Sequence, residues 1–203
     1  MKHGRFLLGL ALSAGLAIAG AGSAVAQDKQ APAGPPDQKA MMEAMQKAAT
    51  PGDAHKKLEP FVGKFDAKVK MWMDPSKPPE ESAGTAENKW VLGNRWVEMQ
   101  YEGTFMGQPF SGIGYTGYDN VAKKYVGTWM DTASTGVMLS SGSMAGKVMK
   151  SSATMSDPMT GKASKASTKV TFGDNDHYTM EMSAPGPDGK MVKVMEIQYS
   201  RKK

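Results

Sequence analysis

The stretch from Trp90 to Gly136 constrains the fold most strongly, because it combines strand-forming aromatic residues with closely spaced glycines. Gly112, Gly114 and Gly117 interrupt a run that is otherwise rich in Tyr, Phe, Trp, Val and Thr. Glycine inside a strand marks a bulge, a bend or the close approach of another backbone. The stretch therefore predicts three or four consecutive antiparallel strands in a sheet that bends round on itself.

Alternation of apolar and polar residues predicts further strands on both sides of this stretch. From Phe65 to Met73 every second residue is apolar, and the residues between them are mostly Lys and Asp, as in a strand with one face in water. Turn sequences separate the later runs; Asp157–Gly161, for example, has Pro and Gly where a type I turn favours them. Gly93-Asn94 predicts a two-residue hairpin loop. The count is ten strands, with no long helix between any two.

Short strands joined by hairpins indicate an antiparallel sandwich or an up-and-down barrel. The barrel is favoured because closure removes the edges that an open ten-stranded sheet would expose, and the glycines supply the bends. An outer-membrane barrel is the rival, but it needs an apolar outer face, whereas several strands here carry Lys, Asp and Glu along one whole side. We predict a soluble, mainly β, antiparallel up-and-down barrel of about ten strands with a short N-terminal helix.

The N-terminal segment, residues 1–26, has the pattern of a secretory signal peptide. Lys2 and Arg5 precede an apolar run that ends near Ala21, and the small residues Ala24–Ala26 follow it. As a helix this run would span only ~24 Å, too short for a hydrocarbon core of ~30 Å. We expect cleavage after Ala26 and a periplasmic or secreted protein without stable membrane insertion.

Residues 27–50 are predicted to form a flexible tether and a short amphipathic helix. Gln27–Pro36 contains three prolines among polar residues, a composition typical of disorder. Asp37–Ala49 has neither Gly nor Pro and begins with a residue that caps helices. Methionines occupy one face of this helix: Met41, Met42 and Met45. The barrel domain is expected over residues 51–203.

Composition and motifs exclude several classes of function. The absence of cysteine excludes disulfides, thiol nucleophiles and Cys-ligated metals. A net charge of +5, carried by scattered lysines, does not predict a nucleic-acid partner. Gly112–Gly117 matches G-x-G-x-x-G, but it leads into a strand rather than a helix, so no dinucleotide cofactor is expected. His55 and His177 do not accompany a nucleophilic serine motif, and a capping or surface role is expected for both.

The candidate site is the barrel interior, where a ten-stranded barrel leaves room for a small ligand. The predicted pocket residues are aromatic, methionine and carboxylate side chains of the central strands: Trp90, Met99, Tyr101, Tyr115, Trp129, Asp131 and Met138. Which strand faces line the interior is not determined, because Arg95–Phe105 carries aromatic residues on both faces. No catalytic residue, metal site or cofactor is assigned.

Two alternatives to simple ligand binding stay open. Glu98, Glu102 or Asp131 would act as a general acid or base if the carboxylate faced the interior with a raised pKa. The 18 methionines of the chain would suit Cu(I), a soft ion, or a partner that docks on the methionine helix. Methionine is also an adaptable core filler, so its abundance alone does not choose between these roles.

Short segments between Pro51 and Lys202 match a known bacterial family in order along the chain. The segments are Pro51–His55, Leu58–Pro60, Trp90–Gly93, Tyr101–Gly103, Met106–Phe110, Thr116–Asn120, Lys123–Val126, Thr128-Trp129, Ser134–Gly136 and Asp157–Lys162. They resemble the exported family called domain of unknown function 1579, and the resemblance implies a lipocalin-like barrel but no activity. Gly63-Lys64-Phe65 stands where such barrels show Gly-x-Trp, which implies that a smaller ring closes the base. We expect non-catalytic binding of a small apolar or amphipathic ligand, with the oligomeric state undetermined.

Overall fold

The structure, a computed structural model, describes residues 37–158, 160–186 and 188–203. The predicted signal segment and the tether up to residue 36 lie outside the described residues. The described chain begins with helix α1 (Gln38–Ala49), followed by the short helix α2 (Asp53–Lys56) and a single 3₁₀ turn (Glu59–Phe61).

Ten strands follow within the described ranges, and they form one closed antiparallel barrel. They are β1 (Gly63–Met71), β2 (Glu80–Val91), β3 (Trp96–Phe105), β4 (Gln108–Asp119), β5 (Lys124–Asp131), β6 (Met138–Ala145), β7 (Val148–Asp157), β8 (Lys162–Phe172), β9 (His177–Pro185) and β10 (Met191–Arg201). Each strand pairs with its neighbours in sequence, and β1 pairs with β10 to close the barrel. The predicted up-and-down barrel is confirmed.

The alternation in β1 shows why these residues form strands of a barrel. Phe65, Ala67 and Val69 are buried, while Asp66 and Lys68 between them are exposed. The apolar residues therefore face the interior and the charged residues face water, as period two requires.

The connection between β2 and β3 differs from the prediction. Four residues, Leu92 to Arg95, link the strands instead of two. Leu92, Gly93 and Asn94 take φ values of 50°, 63° and 61°, so the chain turns through three left-handed residues in succession. The Arg95 guanidinium donates to the carbonyl oxygens of Leu92 and Gly93 at 3.0 and 3.3 Å and holds this wider turn.

Helix α1 is confirmed, and it is attached to the barrel near its C-terminal end. The Asp37 side chain caps it by accepting a hydrogen bond from the backbone N–H of Lys39. Asn120, in the turn between β4 and β5, donates to the carbonyl oxygens of Ala48 and Thr50 at 3.0 and 2.8 Å. None of the residues of α1, all of which the structure describes, is buried, so its methionine face lies in solvent.

Strand register identifies the residues that face the barrel interior, because directly paired residues on neighbouring antiparallel strands share a face. Phe65 pairs with Ala86, Ala86 pairs with Tyr101, and Tyr101 pairs with Gly112. Phe65, Ala86 and Tyr101 are buried. This row therefore runs round the inside of the barrel, and the remaining inward-facing positions follow from it in steps of two.

One end of the barrel, which we call the closed half, is filled by side chains from residues 53–62, which we call the plug; this segment contains α2 and the 3₁₀ turn. Leu58 is fully buried, and the Phe61 ring contacts Phe172 and Tyr178 edge-on, with centroids 4.8 and 5.2 Å apart. Phe65 is also fully buried against Tyr178. The Phe65 ring, which stands where related barrels have Trp, thus helps to fill the closed half, as predicted.

Two polar side chains fasten this plug to the strands. Asn88 donates from Nδ2 to the carbonyl oxygen of Phe61 at 2.7 Å and is almost fully buried. Arg201 donates to the carbonyl oxygens of Val62 and Pro60 at 2.6 and 3.3 Å, and its guanidinium lies 4.6 Å from the centre of the Phe65 ring. These contacts satisfy backbone carbonyls that the irregular chain before β1 leaves without strand partners.

Candidate functional site

The opposite end of the barrel, which we call the open half, has inward-facing apolar side chains that are only partly buried. They come from seven strands: Met71, Phe110, Trp129, Met138, Met155, Met182 and Met195. The described helical elements contact the closed half, through pairs such as His55 with Tyr118 and Phe61 with Phe172, and the β4–β5 turn beside it. Apolar surface inside this half therefore remains accessible to solvent.

Glycines on β4 position Trp129 inside the open half. Gly114 lies directly opposite Trp129, and Gly112 lies opposite Asp131. The indole covers both glycines: a methyl group at Gly112 would collide with the ring, and one at Gly114 would lie 2.9 Å from ring atom Cε3. This close approach of a ring to a backbone explains two of the glycines in the glycine-rich stretch.

Hydrogen bonds then fix the orientation of the Trp129 ring. Its Nε1 donates to Oδ2 of Asp131 at 2.8 Å, and Oδ1 of the same carboxylate accepts from the backbone N–H of Ala133 at 3.0 Å. Both oxygens of Asp131 are therefore engaged in holding the ring and the loop that follows β5. A fixed aromatic ring with its polar edge satisfied is suited to binding an apolar group.

Tyr101 separates the two halves. Only 5% of the residue is exposed, and its ring packs edge-on against Phe110 and Trp129 with centroids 6.0 and 6.4 Å apart. Burial raises the pKa of the Tyr101 hydroxyl, so this side chain stays uncharged over the ordinary pH range.

The structure brings most of the predicted pocket residues to the interior. Register and burial place six of them on inward faces: Trp90, Met99, Tyr101, Trp129, Asp131 and Met138. Trp90 belongs to the closed half, where its Nε1 donates to Oε2 of Glu59 in the plug at 2.7 Å. Tyr101, Trp129, Asp131 and Met138 lie together at the floor and wall of the open half.

Tyr115 is a correction to the predicted set. It pairs with Glu98 on the outer face of the barrel, and its hydroxyl donates to Oε2 of that carboxylate at 3.3 Å. The expectation that it lines the interior was wrong, because the apolar row of β4 runs through Phe110, Gly112 and Gly114 instead.

Glu98 and Glu102 also lie on the outer face, which removes them as catalytic groups inside a pocket. Glu98 accepts from Nε2 of Gln100 at 2.8 Å and forms an ion pair with Lys89 at 3.2 Å. The hydrogen bond from Gln100 is the main cause that holds the pKa of Glu98 below its usual value, opposite to what a general acid in a pocket needs. Glu102 is exposed and lies opposite Thr85 and Ser111.

The two histidines have the structural roles expected of them. His55 is buried, and its Nδ1 accepts from the backbone N–H of Gly52 at 3.1 Å, which caps α2; burial lowers its pKa. His177 is exposed beside Asp174, with 2.9 Å between Nδ1 and Oδ1. Among the described residues, no three His, Cys, Asp or Glu side chains are grouped closely enough to hold a metal ion.

Several residues of the open half were not predicted individually. Met71 pairs with Met195, and Met195 pairs with Met182, so three methionines lie side by side on β1, β10 and β9. The sequence offers only the apolar alternation of each strand, because β1 and β9 are more than a hundred residues apart and their register depends on barrel closure. Phe110 and Met155 are not predicted either, because alternation does not show which face of their strands turns inward.

Comparison with known proteins identifies the family and the fold. A family model described as "Protein of unknown function (DUF1579)" matches residues 50–201, in agreement with the resemblance of the short segments. The crystal structure of Rv2717c from M. tuberculosis is similar with a TM-score of 0.55 at 15% identity, covering 76% of this chain and 100% of that one. The S-type phycobiliprotein lyase CPES from Guillardia theta has a TM-score of 0.51 at 12% identity, covering 75% and 94% respectively.

A search of curated proteins finds no match. In the described part of the chain, no helix is both long and apolar enough to cross a membrane.

Proposed function

We propose that this chain, which belongs to the DUF1579 family of proteins of unknown function, binds a small apolar or amphipathic molecule in the open half of its barrel without catalysing a reaction on it. The barrel and the family are the premises of this proposal. The two solved structures share the chain's fold at low identity and do not indicate which ligand it binds.

One observation carries the proposal, namely the contrast in burial between inward-facing residues of the two halves. Phe65, Tyr178 and Tyr199 are buried in the closed half, whereas Phe110, Trp129 and the methionines of the open half are partly exposed on the same inner surface. Leaving apolar side chains in contact with water forfeits roughly 25 cal/mol for each Å² that a ligand or a plug could cover. A bound apolar molecule would recover that free energy.

The chemistry of the open half favours binding over catalysis. Asp131 is the predicted carboxylate that does face inward, and both of its oxygens are already hydrogen-bonded, to Trp129 and Ala133. The other groups are thioethers and aromatic rings, which adapt to apolar ligands of varied shape. The second lone pairs of the Asp131 oxygens and the Tyr101 hydroxyl are the groups that would orient a polar end of an amphipathic ligand.

We further propose that binding takes place in the periplasm or outside the cell. This part of the proposal rests on the signal-peptide pattern of residues 1–26 in the sequence. Detection of the protein, cut after Ala26, in a periplasmic fraction is the expected result, and retention of the uncut chain in the cytoplasm would contradict it.

The binding proposal is tested with N-phenyl-1-naphthylamine, a neutral apolar dye whose fluorescence rises in a dry site. We expect saturable binding of one dye per chain, and Met138→Lys should weaken it about tenfold or more because the new ammonium must share the apolar site. Met106→Lys is the matched control, since Met106 is exposed in the β3–β4 turn. Absence of saturable binding, or equal binding by both variants, would refute the proposal.

Native mass spectrometry of the purified protein then identifies a natural ligand. A reproducible excess over the chain mass that disappears in Met138→Lys and persists in Met106→Lys is the expected result. The size of the excess separates a lipid from a smaller molecule.

Cu(I) binding is a second candidate function, favoured by the row of Met71, Met195 and Met182. Side chains opposite each other on neighbouring strands have Cβ atoms about 5 Å apart, and the concave inner wall of a barrel turns them toward a common point. Three thioethers are soft ligands that select Cu(I). This site would lie in the same half of the barrel as the apolar ligand.

A competition titration with a Cu(I)-binding chromophore under anaerobic conditions tests this second candidate. We expect one Cu(I) per chain and loss of that binding in Met195→Leu, which keeps the apolar volume but removes the central sulfur. Met73→Leu, at an exposed methionine just beyond β1, is the control. If both variants compete with the chromophore for Cu(I) equally well, the copper site is excluded. The proposal of apolar ligand binding, which the dye experiment tests, would not be affected.

A further inference from the structure

A concave surface on the outside of the barrel is unrelated to the interior site. It is a groove of about 690 Å³ across β6 to β10, and it also reaches the start of β5. Small residues form its floor: Ser141, Gly142, Ser143, Ser152, Ser167 and Ser183. The serines alternate with inward-facing Met144, Ala153 and Ala166, so their hydroxyls face outward into the groove.

The charges lining this groove, which we call the outer groove, are strongly unbalanced. Among the described residues, Glu181 is the one carboxylate that lines it. Five lysines line it: Lys123, Lys124, Lys150, Lys169 and Lys193. No aromatic side chain is among the described residues that line it. The groove is therefore a polar, cationic trough with hydroxyl groups along its floor.

Glu181 neutralises the β8–β10 side of the outer groove only. It accepts from Lys169 at 3.0 Å and from Lys193 at 3.1 Å, and Lys193 also donates to Glu196 at 2.7 Å. The hydrogen bond from Lys169 is the main cause that lowers the pKa of Glu181, so this carboxylate stays ionised. Lys123 interacts with Asp119, whose pKa its charge helps to lower. Lys124 and Lys150 form no ion pair with a carboxylate in the part of the chain that the structure describes.

Strand register adds an independent indication of a ligand. Lys150 on β7 lies directly opposite Lys169 on β8. Like charges at directly opposed positions destabilise a sheet, because their Cβ atoms are only about 5 Å apart. Glu181, on the other side of Lys169, offsets the charge of Lys169, so Lys150 is the member of the pair whose charge a bound anion would offset.

We propose that the outer groove binds an anionic saccharide. Lysines would pair with its acid groups, while the serine hydroxyls would exchange hydrogen bonds with its sugar hydroxyls. The volume of the groove is within the range of small-molecule sites. A single-stranded nucleic acid fits less well, because proteins that bind such strands stack the bases on aromatic side chains and the described lining has none.

The test is isothermal titration calorimetry of the full protein at about 50 mM salt, where screening is moderate. The probes are tetragalacturonate, which carries carboxylates, and glucose 1,6-bisphosphate, which carries phosphates; the tighter binder identifies the acid group. Neutral maltotetraose and a single-stranded oligothymidylate are the comparison ligands. Binding of either anionic sugar supports the proposal, whereas failure of both overturns it. Equal affinity for maltotetraose or for the oligothymidylate also overturns it.

Lys150→Met locates the binding to the groove. We expect this substitution to weaken binding of the anionic sugar about tenfold, since a charge-assisted contact is lost. Lys68→Met is the matched control, because Lys68 is an exposed lysine on the outer face of β1 and its replacement changes the net charge equally. Equal weakening by both variants would show a general effect of net charge and overturn the proposal.

The melting temperature of the Lys150→Met variant provides a second test that needs no sugar. Without ligand, Lys150→Met should raise the melting temperature slightly, because it removes one member of the opposed lysine pair. A fall in the melting temperature would contradict the argument from register. Dye binding in the open half should be unchanged in this variant, so the outer groove and the interior site are tested separately.

Discussion

The closed and open halves of the barrel are made by the same ten strands, yet they use their inner surface differently. In the closed half aromatic rings from α2, the 3₁₀ turn and the strands pack edge to face, and Tyr178 and Tyr199 stack with centroids 4.4 Å apart. In the open half methionines and Trp129 remain partly exposed. The closed half is therefore packed with buried rings, while the open half leaves apolar side chains partly exposed.

The two halves also differ in how they use polar groups and glycine. Asn88 and Arg201 bind backbone carbonyls of the plug, so their hydrogen bonds hold the closed half together. In the open half Asp131 holds a single ring, and Gly112 and Gly114 make room for it. Polar contacts thus fasten chain segments at one end and orient one side chain at the other.

The largest expected effect is the loss of a ring from the closed half. Phe65→Ala should lower the free energy of unfolding by about 3–5 kcal/mol, because it removes a fully buried aromatic side chain and leaves a cavity. Met182→Ala in the open half should cost only about 1 kcal/mol, since its side chain is already partly in water. Urea unfolding measures both, and equal losses would show that the two halves contribute alike to stability.

Gly112→Ala is expected to have the next largest effect, and it acts on the open half. The added methyl group would collide with the Trp129 ring, so we expect a loss of about 2 kcal/mol and a shift in the tryptophan fluorescence. Gly136→Ala is the control, because the nearest atom to its added methyl would be at an ordinary distance of 3.7 Å. An unshifted spectrum in Gly112→Ala would mean that the ring is not held against β4.

A smaller effect should follow from loss of the buried amide in the closed half. Asn88→Ala removes the donor to the Phe61 carbonyl and should cost about 1–2 kcal/mol, because that oxygen is left without its partner. Gln100→Ala removes an amide whose hydrogen bond to Glu98 lies on the outer face, and we expect about 0.5 kcal/mol or less. Unfolding in urea and, separately, in guanidinium measures the free energy of unfolding of both variants. Equal losses for the two variants would contradict the role assigned to Asn88.

The smallest effect concerns pH and the His55 cap. Because burial lowers the pKa of His55 in the folded state, the unfolded chain takes up the proton first, and stability should fall as pH drops from about 7.5 to 5.5. Protonation also removes the lone pair of Nδ1 that accepts from Gly52. His55→Gln should flatten this dependence, which urea unfolding at several pH values measures.

This pH window separates His55 from the carboxylates. The pKa values of Asp74, Asp119 and Asp174 are lowered mainly by backbone hydrogen bonds, so their contribution is present above the ordinary carboxyl pKa of about 4 and is lost only below it. A stability curve that is flat between pH 7.5 and 5.5 in the unmodified protein would contradict the role of His55.

Much of the fold could be predicted because it depends on local patterns. Alternation in runs such as β1 predicts a strand and its wet face, and turn residues separate ten such runs. The candidate site was only partly predictable. The sequence predicts Trp129, Tyr101, Asp131 and Met138 as pocket residues because they are aromatic, methionine or carboxylate residues of the central strands. The same criterion includes Tyr115, which faces outward.

The sequence by itself therefore determined the number and order of the strands, the capped N-terminal helix and the family resemblance, because each depends on residues near one another in the chain. Tertiary structure alone decided which strand faces turn inward, since β3 and β4 carry aromatic residues on both faces. It also brought Met71, Met195 and Met182 together and placed Lys150 opposite Lys169. These neighbours are set by the register of pairing and by closure of β1 on β10, which depend on long-range contacts that no local pattern encodes.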